Sequence, residues 1–217
     1  MAFKGWPTSA LDFYEGLEAD NSKAYWTDHK DVYETAVKAP MEALLAELSS
    51  EFGETRLFRP YRDIRFSPDK TPYKTSIAAE VGQHYVQLSA DGLMAGAGMY
   101  HMASGQLARY RDAVVDDGPG RKLQTLVAAM RKAGLSVHGT DALKTAPKGY
   151  DRDHPRAELL RYKGLVVMKV WPPARWLASG AAKQRVVDLF RAAAPLLDWL
   201  NTHAGPPDEP TEGTRRR

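Results

Sequence analysis

The spacing of apolar residues changes character near Gly53, and that change constrains the fold more than any other feature of the chain. Before it, apolar residues recur at three and four. Leu11, Phe13, Tyr14 and Leu17 form a first set behind Pro7, with Thr8 and Ser9 as cap candidates. After Asp20-Asn21-Ser22, which ends that helix and can cap the next, a second set follows: Tyr25, Trp26, His29, Val32, Tyr33, Ala36 and Val37. Pro40 either kinks this helix or opens a new one, and Met41, Leu44, Leu45, Leu48 and Phe52 carry the pattern on. From Arg56 alternation takes over. "RLFRPYRDIRF" reads as a strand, with Arg62, Ile64 and Phe66 on one face and Tyr61, Asp63 and Arg65 on the other. "TSIAAEVG", "HYVQLSA" and "LMAGAGMYHM" read as three more strands, with a hairpin signal at Asp91-Gly92. Gly96 and Gly98 inside the last of them predict a bulge or a close approach by a ligand or another backbone.

Helical spacing then returns. Ser104 is read as the cap of a helix through Val115, "DDGPG" as its break, and a second helix runs to about Gly134. "DHPRAELLRYK" reads as a short helix capped by Asp153. "GLVVMKVW" reads as a central, buried strand, and a last amphipathic helix runs from Ser179 to about His203. Helices, then neighbouring strands, then helices again, without steady β-α-β alternation, predict an α+β fold. The expected architecture is a mainly antiparallel sheet with helices packed on it, a helical N-terminal region and a long C-terminal helix. Residues 1–203 are expected to form a single domain. Residues 204–217, rich in Pro, Gly and charge, are expected to be a disordered tail.

Several function classes drop out. The chain has no cysteine, which removes disulfides, Cys-ligated metals and thiol catalysis. Its apolar runs fall well short of the roughly 18 residues of a spanning helix, so no membrane is expected. The N-terminus lacks the basic and apolar regions of a secretory signal, and a cytoplasmic protein is the simplest expectation. Six histidines are scattered without ligand spacing, so no metal is expected. No dinucleotide fingerprint, Walker loop or nucleophile elbow occurs, and no cofactor is expected. The five tryptophans are read as core or core-edge residues. Oligomeric state leaves no trace in the pattern.

Charge points to one stretch. The chain is +3 overall, yet Arg56 to Thr75 holds four Arg, two Lys and two Asp, which is +4. The remainder is therefore −1. Within that stretch Arg59, Arg62, Arg65, Lys70, Tyr73 and Lys74 are candidate anion-binding residues, with Asp63 and Asp69 in support. Guanidinium forks suit phosphate and carboxylate oxygens, and lysines on the Pro-rich loop after them can close over the same ligand. The same residues can instead form an internal salt-bridge network that pins the loop, since Asp63 is two residues from Arg65 and Asp69 adjoins Lys70. A nucleic-acid partner is a third reading. The residue types fit backbone contact and stacking, but the modest total charge and the two acids inside the patch weigh against it. No residue is assigned a catalytic role, and whether the protein is an enzyme is left open.

"RPYRDIRFSPDKTPYK" resembles the signature of a bacterial family known as domain of unknown function 2461: Arg-x-x-Arg-Asp-x-Arg-Phe-x-x-Asp/Asn-Lys-x-x-Tyr. The pattern falls on Arg59, Arg62, Asp63, Arg65, Phe66, Asp69, Lys70 and Tyr73 without departure. "FYEGLEADNSKAYWTDHKDVYETAVKAP", the hairpin with "GAGMY", and "GYDRDHPRAELLRYKGL" are also similar, so the resemblance spans roughly residues 3 to 200. It adds weight to the motif as a binding site and brings no catalytic residue with it.

Overall fold

In the computed structural model, which describes residues 2–65 and 68–208, the fold is α+β. Four helical segments lead: α1 (Ser9–Ala19), α2 (Lys23–Asp28), α3 (Lys30–Val32) and α4 (Ala39–Phe52). A π-helical segment, Tyr33–Lys38, joins the last two. Strands β1 (Thr55–Leu57), β2 (Ser76–Val81), β3 (His84–Ser89) and β4 (Gly92–Met99) follow. Then come α5 (Ser104–Val115), α6 (Asp117–Lys132), β5 (Ser136–Thr140), α7 (Ala157–Leu160), β6 (Gly164–Trp171), a 3-10 turn (Arg175–Ala178) and α8 (Ala181–His203). The strands form one six-stranded sheet in the order β1-β2-β3-β4-β6-β5. The first four pair antiparallel in chain order, Leu57 opposite Ala79, Val81 opposite His84 and Ser89 opposite Gly92. None of the helices among the described residues is long and apolar enough to cross a membrane.

The chain divides into two compact units. The first comprises residues 1–97 and 168–192. Its core is built from Trp6, Tyr14, Leu17, Met41, Leu44, Leu48, Val86 and Leu88, all fully or nearly fully buried. The apolar stripes of α1 and α4 supply five of these eight, as the three-and-four spacing requires. An aromatic cluster joins α1 to the next helices: Phe13 meets Trp26 edge-on at 5.8 Å and Tyr33 at 5.6 Å. Ser22 accepts a hydrogen bond from the Tyr25 amide and so starts α2. Ion pairs Lys183–Glu47 and Arg191–Glu51 lie on this unit's surface.

The second unit comprises, among the described residues, 98–167 and 193–208. Tyr110, Leu123, Leu160, Leu165, Trp199 and Leu200 form its core. Arg156 is 4% exposed, and its guanidinium donates to the carbonyls of Val114 and Val115 and to Asp117. It thereby satisfies the open end of α5 and ties it to the start of α6. Arg109 donates to the carbonyls of Ala204 and Pro206 and pairs with Asp208.

Several local expectations are corrected. The strand expected over 56–66 is a strand only at Thr55–Leu57, followed by a single bridge of Tyr61 to Tyr73. Pro60 has no amide hydrogen to give a ladder, and Asp63 and Asp69 bind neighbouring amides themselves, which favours turns over strand. Phe66 lies outside the described residues. The break between α5 and α6 is Asp116 alone, whose carboxylate accepts from the Gly118 amide, so Gly118-Pro119-Gly120 falls inside α6. Ala103, not Ser104, holds the cap position of α5, and α7 is shorter than the helix read from "DHPRAELLRYK".

Gly98 meets the close approach that its place in the strand predicted. Its φ is +137°, and a Cβ there would stand 2.3 Å from the carbonyl oxygen of Leu165. Gly98→Ala is expected to cost about 1–3 kcal/mol from the backbone alone, with the clash added. Thermal unfolding checks this, at roughly 2–4 °C of midpoint per kcal/mol for a chain of this size. An unchanged midpoint would contradict the packing described.

Candidate functional site

Residues 58–75 connect β1 to β2 with almost no ladder of their own. A connection this long, inside a compact unit, must be held by side chains or be mobile. Three ties hold it.

The first is the bridge at its waist. The Arg62 amide donates to the Pro72 carbonyl at 2.9 Å and the Lys74 amide donates to the Pro60 carbonyl at 2.8 Å. These bonds set Tyr61 opposite Tyr73. The second is the anchoring of Tyr73. Its ring, 6% exposed, stacks on Trp26 with centroids 4.3 Å apart and planes 5° apart. The side chain of Asn21 closes around its backbone: Oδ1 accepts from the Tyr73 amide and Nδ2 donates to the Tyr73 carbonyl, both at 3.1 Å. Burial, then the neighbouring Tyr61, raises the Tyr73 hydroxyl above the ordinary tyrosine value.

The third tie is ionic. Arg62 Nη1 reaches Asp69 Oδ2 at 2.6 Å and Thr71 Oγ1 at 2.7 Å. Asp69 Oδ1 accepts in turn from the Thr71 amide and hydroxyl. These two bonds from Thr71, and then Arg62, hold the Asp69 carboxyl below the usual aspartate range. Arg65 forms a two-pronged pair with Asp63, at 3.0 and 2.7 Å. That pair lowers Asp63 and raises Arg65, with the Arg65 amide and then Arg59 lowering Asp63 further. Lys70 Nζ donates to the Ile64 carbonyl at 2.9 Å. The motif's acids and most of its cations thus bind one another or the loop's own backbone.

Arg59 is different. It makes no hydrogen bond or ion pair among the described residues. It lines a cleft of about 360 Å³, together with Trp26, Lys30, Tyr33, Phe58 and Tyr61. The side chain of Lys30, exposed on the first turn of α3, is likewise without a hydrogen bond or ion pair among the described residues. Glu34 and Lys38 also line the cleft and pair with each other at 2.9 Å. Lys74 sits beside the rim, with its ammonium 5.4 Å from the centre of the Phe58 ring. Burial, then the like charge of Arg59, lowers its pKa.

The π-helical segment shapes the far wall. The Ala39 amide donates to the Glu34 carbonyl, one residue further back than in an α-helix. Pro40 follows at once, and its ring would crowd the carbonyl four residues behind in a regular helix. The wider turn relieves that crowding and keeps Tyr33, Glu34 and Lys38 on the cleft.

Of the candidate residues, the structure therefore brings Arg59 into a cleft with Lys74 nearby. Arg62, Asp63, Arg65, Asp69 and Lys70 form the ties of the loop, and Tyr73 is buried beneath it. Sequence reasoning missed Lys30, Tyr61 as an open wall, and Asn21. The only signal for Asn21 was a polar residue between two helices, which reads as a cap. Among the described residues no group of three or more His, Asp or Glu is arranged to hold a metal ion.

Two outcomes test this account. Asn21→Ala leaves the amide and carbonyl of a buried residue unpartnered and is expected to cost about 1–3 kcal/mol of stability, read by denaturant unfolding. A carboxyl held below its ordinary value stabilises above that ordinary value, near pH 3.9, and its contribution is lost as pH falls through the lowered one. The Thr71 amide resonance is therefore expected to titrate with a midpoint below about pH 3.9, and not at all in Asp69→Asn. A wild-type midpoint at or above the ordinary value would show that the Asp69–Thr71 bonds are absent.

Comparison with family models gives a match to the family described as "Conserved hypothetical protein (DUF2461)", over residues 9–199. The match covers most of the chain, and the chain belongs to that family. No curated protein and no solved structure matches it.

Proposed function

We propose that this member of the DUF2461 family binds a small phosphorylated or carboxylate anion in the cleft between α3, the π-helical segment and the 59–74 loop. One observation carries the reading: Arg59 and Lys30, two cations without ion-pair partners among the described residues, line the same aromatic-walled space. Lys30, Lys38 and Arg59 line the cleft with Glu34 as its acid, so the lining carries an excess of positive charge that an anion would offset. The proximity of Arg59 to Lys74 adds to that imbalance, and an anion on Arg59 relieves it.

In this reading the motif divides by role. Arg59, Lys30 and Lys74 attract and hold the anion. Arg62 with Asp69, Arg65 with Asp63, Lys70 and the buried Tyr73 keep the loop in the shape that presents Arg59. The structural-network reading thus accounts for the supporting residues, and the anion site for the remaining cations. Asp63 and Asp69 are each engaged by an arginine, so neither stands ready as an acid or base, and the reading is of a binding site.

Thermal unfolding against phosphorylated metabolites, dicarboxylates and short oligonucleotides tests it, at low and moderate salt. A bound ligand at about 100 times its dissociation constant adds about 2.7 kcal/mol, or a midpoint rise of roughly 5–10 °C. The expected result is a rise with one class of small anion, lost in Arg59→Ala and Lys30→Ala and kept in Lys122→Ala, which removes an exposed cation of α6 outside the cleft lining. A flat response to every small anion overturns the proposal. A rise with oligonucleotides alone, collapsing with salt, replaces it with a nucleic-acid partner.

A further inference from the structure

We infer that the anion in this cleft is carried on a flat aromatic body, an aryl phosphate or aryl carboxylate, and that Tyr61 is the surface it stacks on. The inference rests on the anion-site reading above and goes beyond it by naming the ligand's other half.

Size comes first. Small organic ligands occupy sites of roughly 300–1,000 Å³. A cleft of about 360 Å³ falls at the low end of that range and is several times larger than a lone phosphate or acetate needs. The space that the charges do not account for is walled by rings.

Those rings are not equivalent. Trp26 is 6% exposed, with Tyr73 covering one face and Tyr33 tilted against it at 4.7 Å. Tyr33 is buried as well. The Phe58 ring is already engaged by two cations, Arg56 at 4.9 Å and Lys74 at 5.4 Å. Tyr61 remains, 51% exposed, touching Trp26 and Tyr73 only at tilted angles, with centroids 6.1 and 5.6 Å away. Its backbone is fixed by the two hydrogen bonds of the Tyr61–Tyr73 bridge. A large ring held rigidly with an open face loses little entropy when another ring lies on it.

Placement completes the case. Arg59 and Tyr61 line the same cleft and are separated only by Pro60, whose ring limits the backbone between them. The backbone positions that carry the cation and the stacking surface are thus held a short step apart. A ligand that puts its negative group one bond or two from an aromatic ring can meet both at once. A branched or saturated anion meets Arg59 alone.

Calorimetric titration with four probes tests the inference: phenyl phosphate against inorganic phosphate, and benzoate against cyclohexanecarboxylate. The second pair has equal charge and similar size and differs in flatness and π character. The aryl member of each pair is expected to bind about tenfold tighter, the scale of one good ring contact with its apolar area. Tyr61→Ala is expected to erase the preference while leaving inorganic phosphate within about twofold. Tyr61→Phe keeps the preference, which separates loss of stacking from loss of folding. Arg59→Ala weakens all four. Equal affinities within each pair, or a preference that survives Tyr61→Ala, overturn the inference and leave the anion site standing. Failure of all four probes to bind overturns both.

Discussion

The bond from Arg62 into its own loop is the constraint on which the candidate site depends. One guanidinium nitrogen joins Asp69 and Thr71, and the backbone of the same residue joins Pro72. Without it the residues on either side of the bridge have little to keep them together, because prolines at 60, 68 and 72 withhold the amides that a ladder needs. Each ionic contact on this exposed loop is individually weak, as surface pairs are. Their effect comes from coincidence: backbone bridge, buried Tyr73 and charge network all specify one loop path, and that path sets Arg59 on the cleft.

A cluster of like charges serves two ends at once here. Arginines that meet aspartates within the loop are spent on its shape. Arg59, which forms no ion pair among the described residues, is left on the cleft. Six positive side chains in one short stretch therefore do not mean six ligand contacts. The local excess of charge is better read as a scaffold with a remainder, and the remainder is joined by Lys30 from another element.

The sequence already carried the fold class, because the change from three-and-four spacing to alternation is set by which side chains must be buried. The hairpin strands, the long final helix and the constraint at Gly98 were legible for the same reason. The path of residues 58–75 was not. Alternation in "RLFRPYRDIRF" is the same whether the residues pair with a neighbour or turn back on themselves, and only Pro60 hinted at the second. Nor can a sequence tell Arg59 from Arg62. They differ in whether an aspartate folds back within reach, which depends on turns several residues away. Lys30 and Trp26 were assigned to a helix correctly, but periodicity does not say which loop a helix meets.

The wide turn at Tyr33–Lys38 has a consequence for how the cleft can vary. A helix is a phase: each residue advances the direction of its side chain by about 100°. The extra residue held in this turn offsets the phase of Lys30, Tyr33 and Glu34 from that of Met41, Leu44 and Leu48, which are locked into the core. Removing one residue there would restore the regular helix, but it would turn the buried Tyr33 away from Phe13 and Trp26. It would also swing the wall facing Arg59 round by about one residue's angle, roughly 100°. The wall of the cleft and the aromatic core beneath it thus share one helical phase, so a change in length there cannot alter one without the other.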